Sequence, residues 1–318
     1  MEPRSAPPIP TSVSPQARAF LSQPRSERVY PPLDDRPAWA RMIAESQAEL
    51  VGYMSERLGP LLDRAPILIE ERDIGGVHTF AIKVDDALSE EASSLYLDIH
   101  GGALITGGGE ACKLMGVGRA LTVNMPVWAI DYRMPPAHPY PAALDDCLAV
   151  YRAALEERAP EQIFVGGTSA GGNLAAALLL RAKDEGLPMP AALVLMTPEV
   201  DLTESGDSFV TNDGLDNLLR PLMPVNQFYA DGRDLSHPYL SPLFGDVTGF
   251  PPTLLTSGTR DLFLSNTVRM HRKLRAAGVD TDLHVWEAMP HGGFGGGAPE
   301  DMEMVAELQT FLAKHAPN

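Results

Sequence analysis

Two cysteines, Cys112 and Cys147, are all that 318 residues provide. That count excludes a disulfide framework and a cysteine-rich zinc site. Both lie in or beside apolar segments of helical pattern, where buried free thiols are expected. Cationic side chains are also scarce, with 25 Lys and Arg against 42 Asp and Glu and a net charge of -17. On that balance nucleic acid is excluded as a partner, because its phosphates call for Lys and Arg, and so is an anionic membrane surface. The acidity reads as a source of solubility. No apolar run approaches the length of a membrane span. Met1 to Gln23 is rich in Pro and Ser and lacks a continuous apolar stretch, so it does not read as a signal peptide, and cytoplasmic residence is the expectation. Neither H-E-x-x-H nor a clustered ligand spacing occurs, which sets metal-dependent hydrolysis aside.

What is present is an ordinary globular composition, 44% hydrophobic and 21% charged. The length suits one large α/β domain with a smaller attached part. Residues 1–32 are studded with proline and read as extended or disordered. Ala38 to Leu58 carries apolar residues at helical spacing, among them Trp39, Met42, Ile43, Leu50, Val51 and Met54. Two strands, Ile67 to Ile69 and Val77 to Val84, flank the turn signal Gly75-Gly76. Apolar strands then alternate with helices. The strands are Leu95 to Ile99, Val127 to Asp131, Gln162 to Val165, Ala192 to Met196, Thr253 to Ser257 and Asp282 to Glu287. The helices are Lys113 to Leu121, Ala142 to Glu157, Asn173 to Lys183, Asn266 to Ala277 and Glu300 to Lys314. Continuous apolar strands between helices predict a mostly parallel sheet covered on both faces. Glu199 to Leu235 breaks the rhythm with acidic residues that include Asp201, Glu204, Asp207, Asp213 and Asp216, and with a helical stretch from Leu218 to Tyr229. A long insertion of this kind is usually functional. It is expected to form a lid with the N-terminal helix. The chain therefore divides into an N-terminal arm and cap helices (1–62), a first core part (63–198), a cap insertion (199–236) and a second core part (237–318).

The most informative stretch is Val165-Gly166-Gly167-Thr168-Ser169-Ala170-Gly171-Gly172. It contains G-x-S-x-G between a strand and a helix, the setting in which a serine hydroxyl is pushed out of the sheet. The following helix aims its positive end at the site. Ser169 is the candidate nucleophile. His291, in a glycine-rich loop after the last strand, can take the serine proton and return it to the leaving group. Asp261, just after the strand Thr253 to Ser257, can accept from the second ring nitrogen and fix the tautomer. The order Ser169, Asp261, His291 is that of α/β-hydrolases. Backbone N–H groups of Gly101, Gly102 and Ala170 can converge on a tetrahedral oxygen as an oxyanion hole. His100 reads as a structural residue that ties this loop down.

Together these stretches resemble the hormone-sensitive-lipase-like family of bacterial carboxylesterases, within the α/β-hydrolase fold. The matching segments are His100 to Ala103, Asp131 to Ala143, Gly167 to Gly171, Gly258 to Asp261 and Met289 to Phe294. The resemblance implies an eight-stranded sheet, a helical cap, no cofactor, and hydrolysis of short-acyl esters by a Ser169, Asp261, His291 triad with Gly101, Gly102 and Ala170 as the oxyanion hole. It also implies a small ester as substrate, for which a lactone is a close alternative because ring opening needs the same groups, and family members often form homodimers. Three departures stand out. Ala103 replaces a third glycine, and its methyl group narrows the alcohol side. Thr168 replaces the more usual acidic residue, as in the threonine-type branch. Gly292-Gly293 adds a glycine, which predicts a looser loop after His291. Lactone hydrolysis would use the same triad. A peptidase of the same fold is disfavoured by the lack of a large extra domain. A hydrolase-derived binding protein would keep the pocket and lose the base, yet His291 is present.

Overall fold

The computed structural model describes residues 8–24, 29–62, 66–84 and 94–317. One sheet holds eight strands: β1 (Ile67–Ile74), β2 (Val77–Val84), β3 (Leu95–Ile99), β4 (Val127–Ile130), β5 (Ile163–Thr168), β6 (Ala192–Met196), β7 (Thr253–Gly258) and β8 (Thr281–Trp286). Their spatial order is β1-β2-β4-β3-β5-β6-β7-β8. β2 pairs antiparallel with β1 and β4, and every pair from β4 onward is parallel. The chain thus moves one way from β3 to β4, then crosses back to β5 on the other side of β3. At such a reversal the connections leave on opposite faces and open a crevice at the carboxyl ends of β3 and β5, where α/β proteins bind ligands.

The period of two along the strands sorts side chains between two cores. Leu95, Leu97 and Ile99 join one core with Val165, Leu193 and Leu195. Tyr96 joins the other with Phe164, Ala192 and Val194. Helices α4 (Ala142–Glu157), α5 (Ala170–Asp184) and α8 (Leu264–Ala276) cover the first face, and α3 (Glu110–Val123) and α9 (Pro299–His315) the second. Because both faces are covered, β3 and β4 are buried along their whole length.

Two smaller clusters lie beyond the sheet. The first joins Trp39, Met42 and Ile43 of α2 (Arg36–Leu62) to Phe209 of the short α6 (Ser208–Thr211), to Leu222, and to Val225 and Phe228 of α7 (Met223–Ala230). Leu262, Phe263, Ile105 and Ala103 from the core loops complete it. Trp39 is fully buried and stacks on Phe228 with ring centroids 4.1 Å apart. The second joins Val13, Ala17 and Phe20 of the N-terminal region to Ala288, Met289, Phe294 and Ala298.

Two local expectations are corrected. The proline-rich start is not extended throughout, because Pro15–Leu21 forms a helix, α1. Ser14 caps it by accepting from the Ala17 N–H, and a proline stands in the first turn, where its missing N–H costs nothing. Residues 1–7 and 25–28 of that segment lie outside the described residues. In the insertion the helix starts at Met223 and not at Leu218. Pro224 sits in its first turn, and a proline is tolerated there but not further along.

Candidate active site

Ser169 stands between β5, which ends at Thr168, and α5, which starts at Ala170, three residues earlier than the apolar pattern suggests. Its backbone is held at φ 59°, in the region disfavoured for L-residues. Three hydrogen bonds hold it there. Ser169 N–H donates to Met196 O (2.9 Å), and Ser169 O accepts from Asn173 N–H (3.1 Å) and Glu199 N–H (3.2 Å). The glycines around it are spatial requirements. A Cβ on Gly171 would sit 1.9 Å from Ile99 O, so α5 can press this closely on β3 only without one. A Cβ on Gly101 would lie 3.0 Å from Thr168 O and 3.5 Å from Ser169 Cβ. The loop after β3 therefore lies directly against the elbow. Arg119 supports the elbow from below, with Nη2 donating to Thr168 Oγ1 (3.1 Å) and Nε to Asp98 Oδ1 (3.0 Å).

His291 and Asp261 meet as their positions after β8 and β7 suggest. His291 Nδ1 lies 3.0 Å from Asp261 Oδ1, and both residues are buried. A carboxylate can only accept, so Nδ1 carries the proton and Nε2 presents its lone pair. Asp261 is itself fixed, because Oδ2 accepts from Ser257 Oγ (2.6 Å) and Oδ1 from Phe263 N–H (2.9 Å). The edge of the imidazole meets Phe263, with centroids 4.9 Å apart. Burial alone would lower the imidazole pKa, but the charge and hydrogen bond of Asp261 and the charge of Asp216 outweigh it. The pKa stands above the ordinary 6.5. Among the described residues no hydrogen bond joins Ser169 to the His291 ring. Contacts of this kind often tighten only with substrate bound.

His100 is engaged within its own loop and with Tyr132. Its Nδ1 lies 2.8 Å from Gly101 O, its ring stacks on Tyr132 at 4.0 Å, and burial pulls its pKa down to about 4. Tyr132 Oη donates to His100 O (2.9 Å). The extra glycine does not leave the loop after His291 loose. Phe294 N–H donates to Asp301 Oδ1 (2.8 Å), and its ring meets Phe20 edge-on.

Several residues at the site went unread in the sequence. Gln47 of α2 grips the glycine loop twice, accepting from Gly107 N–H (2.7 Å) and donating to Gly108 O (2.8 Å). Asn212 donates to Asp261 O (2.8 Å) and Thr259 O (3.2 Å). Asp216 reaches the backbones of both Leu262 and His291. The only signal for the Asn212 and Asp216 contacts was the break in rhythm after Glu199, and nothing singled out Gln47 on its helix. The linear spacing also hid a three-residue group. Ligand atoms of His100, Cys112 and Asp131 lie within 4.8 Å of one another. Burial pushes the Cys112 thiol far up, away from the thiolate a metal needs, and Asp131 already accepts from Gly109 N–H (2.8 Å) and meets His78 Nδ1 (2.9 Å).

The sheet order, the serine elbow and the buried carboxylate–imidazole pair define an α/β-hydrolase. A family model described as alpha/beta hydrolase fold matches residues 96–294. An esterase of Acinetobacter venetianus is 34% identical over 226 residues, covering 69% of this chain and 75% of that protein. Among solved structures, esterase E25 has a TM-score of 0.90 and 36% identity, covering 100% of this chain and 98% of its own. An esterase of the bacterial hormone-sensitive lipase family has a TM-score of 0.77 and 28% identity, covering 96% and 100%. The chain belongs to the α/β-hydrolase fold family and, within it, to the hormone-sensitive-lipase-like carboxylesterases. It is a carboxylic ester hydrolase. No helix among the described residues is long and apolar enough to cross a membrane.

Proposed function

We propose that this enzyme hydrolyses short-acyl carboxylic esters through an acyl-enzyme on Ser169. His291 takes the Ser169 proton through Nε2 and delivers it to the leaving alcohol. Asp261 fixes the tautomer and stabilises the imidazolium. The N–H groups of Gly101, Gly102 and Ala170 receive the oxyanion, and the positive end of α5 favours the same charge. Water then attacks the ester on Ser169 with His291 again as base, releasing the acid. The observation that carries this reading is the buried His291 Nδ1–Asp261 Oδ1 contact of 3.0 Å, whose geometry leaves Nε2 free to act as the base. The cluster of Trp39, Phe209, Phe228 and Phe263 supports a roof for the acyl group, since Phe263 touches both that cluster and the His291 ring.

Ser169→Ala tests the assignment on p-nitrophenyl esters of increasing acyl length. Turnover is expected to fall by about 10⁴-fold or more. A fall of less than about tenfold would remove Ser169 from the mechanism.

A further inference from the structure

Asp216 lies in the insertion and is completely buried. Its Oδ1 accepts from Leu218 N–H (2.8 Å) and Leu219 N–H (3.1 Å) within its own loop. Its Oδ2 accepts from Leu262 N–H (3.0 Å) and His291 N–H (3.1 Å). Leu262 follows Asp261, so one oxygen holds the backbone beside the orienting acid and the backbone of the base itself. These partners lie 46 and 75 residues away in sequence. Four N–H donors converge on one carboxylate, an arrangement that favours the ionised form. Neighbouring residues reinforce the seat, as Asn212 holds Asp261 O from the same segment and Asn217 Nδ2 donates to Phe20 O (3.0 Å) on α1.

We propose that Asp216 is a positioning residue for the ester hydrolysis, a carboxylate from the insertion that pins the acid loop to the base loop. The proposal rests on the Ser169–His291–Asp261 reading. The pin holds the His291–Asp261 separation while the imidazole gains and loses its proton. Its charge adds to that of Asp261, and among the described residues these are the two titratable groups that act on His291. Burial raises the pKa of the Asp216 carboxyl itself, and the charge on His291 opposes that. A purely structural carboxylate would affect stability and leave the titration of the base alone.

The test is the pH profile of kcat and kcat/KM in Asp216→Asn, with Asp216→Glu as the conservative partner and Asp201→Asn as a control. Asp201 is equally buried in the same insertion, but it bonds Thr203, Ser205 and Arg269 and not the catalytic loops. In Asp216→Asn, kcat is expected to fall about tenfold or more with KM within about threefold. Its acid limb should move down by about one pH unit, because the imidazolium loses a stabilising charge. Asp216→Glu should keep the acid limb while lowering kcat, since it retains the charge but not the fit. Asp201→Asn should leave the limb in place. In the unaltered protein, the Leu262 and His291 amides should exchange with deuterium as slowly as those of β7. A wild-type kcat and limb in Asp216→Asn would overturn the pin, and so would free-loop exchange at the two amides, even if the variants do not fold. If Ser169→Ala kept its turnover, the triad would fall and the pin with it. Loss of turnover in Ser169→Ala beside a wild-type Asp216→Asn would reject the pin alone.

Discussion

Arg119→Met removes a charge from beneath the elbow and keeps most of the packing. Arg119 rises from α3 with 11% of its side chain exposed, and Asp98 on β3 has 5%. The guanidinium touches three strands, binding Asp98 on β3, Thr168 on β5 and Met196 Sδ on β6, with Tyr96 under its plane at 5.6 Å. Burial pushes the Asp98 carboxyl up, and Arg119 opposes that push. Methionine is unbranched and of similar length, so the chief loss is the partner of a buried carboxylate. Breaking such a pair costs about 3–5 kcal/mol, whereas removing both members often costs little. At about 2.1 cal/mol/K per residue, this chain unfolds with an entropy near 0.7 kcal/mol/K, so the expected fall in Tm is roughly 4–7 °C. The deficit should shrink as the pH is lowered. Without Arg119 the folded-state pKa of Asp98 rises further, and the penalty of burying its charge disappears once the group protonates. Urea unfolding of Arg119→Met, Asp98→Asn and the double variant measures the coupling, expected at about 2 kcal/mol or more. Single changes that simply add in the double variant, or an Arg119→Met cost under about 1 kcal/mol, would refute this account.

Two further predictions concern the site and its roof. With His291 as the proposed base, which works only when neutral, the esterase rate should fall on acidification with a midpoint above 6.5, because the imidazole pKa is raised; a flat pH–rate profile from about 5 to 8 would rule out the imidazole as base. Trp39→Ala empties the stack on Phe228 and should cost about 3–5 kcal/mol while changing the acyl-length preference. An unchanged preference in the folded variant would dissociate that cluster from substrate choice.

Most of the sheet was legible because β3 to β7 each carry a short apolar run, and β3, β6 and β7 begin where the sequence pattern places them. The elbow was legible for a similar reason, since its chemistry lies within eight consecutive residues. The start of α5 was misplaced because Ala170, Gly171 and Gly172 carry no apolar period. Close packing of Gly171 on Ile99 O sets that boundary, and propensity does not. The helix α1 was hidden among prolines, and the apolar face that stabilises it, Ala17 and Phe20, means little without Met289 and Phe294 opposite. Asp216 looked like one more acidic residue of an acidic loop. Its role depends on two amides that come near only when the insertion folds back over β7 and β8.

The docking of α1 also constrains the order of events as the protein is made. Ser14 gives two hydrogen bonds to Glu300, 286 residues downstream, and Phe20 packs beside the loop that carries His291. At about 5–20 residues per second, a ribosome needs roughly 15–60 s to travel that distance. Through that interval the first helix has no seat, and its apolar face is open to chaperones or to aggregation. A nascent chain that stops before α9 would carry sticky surface near both of its ends. The seat of α1 is therefore complete only once the segment from Ala288 to Glu300 has been made.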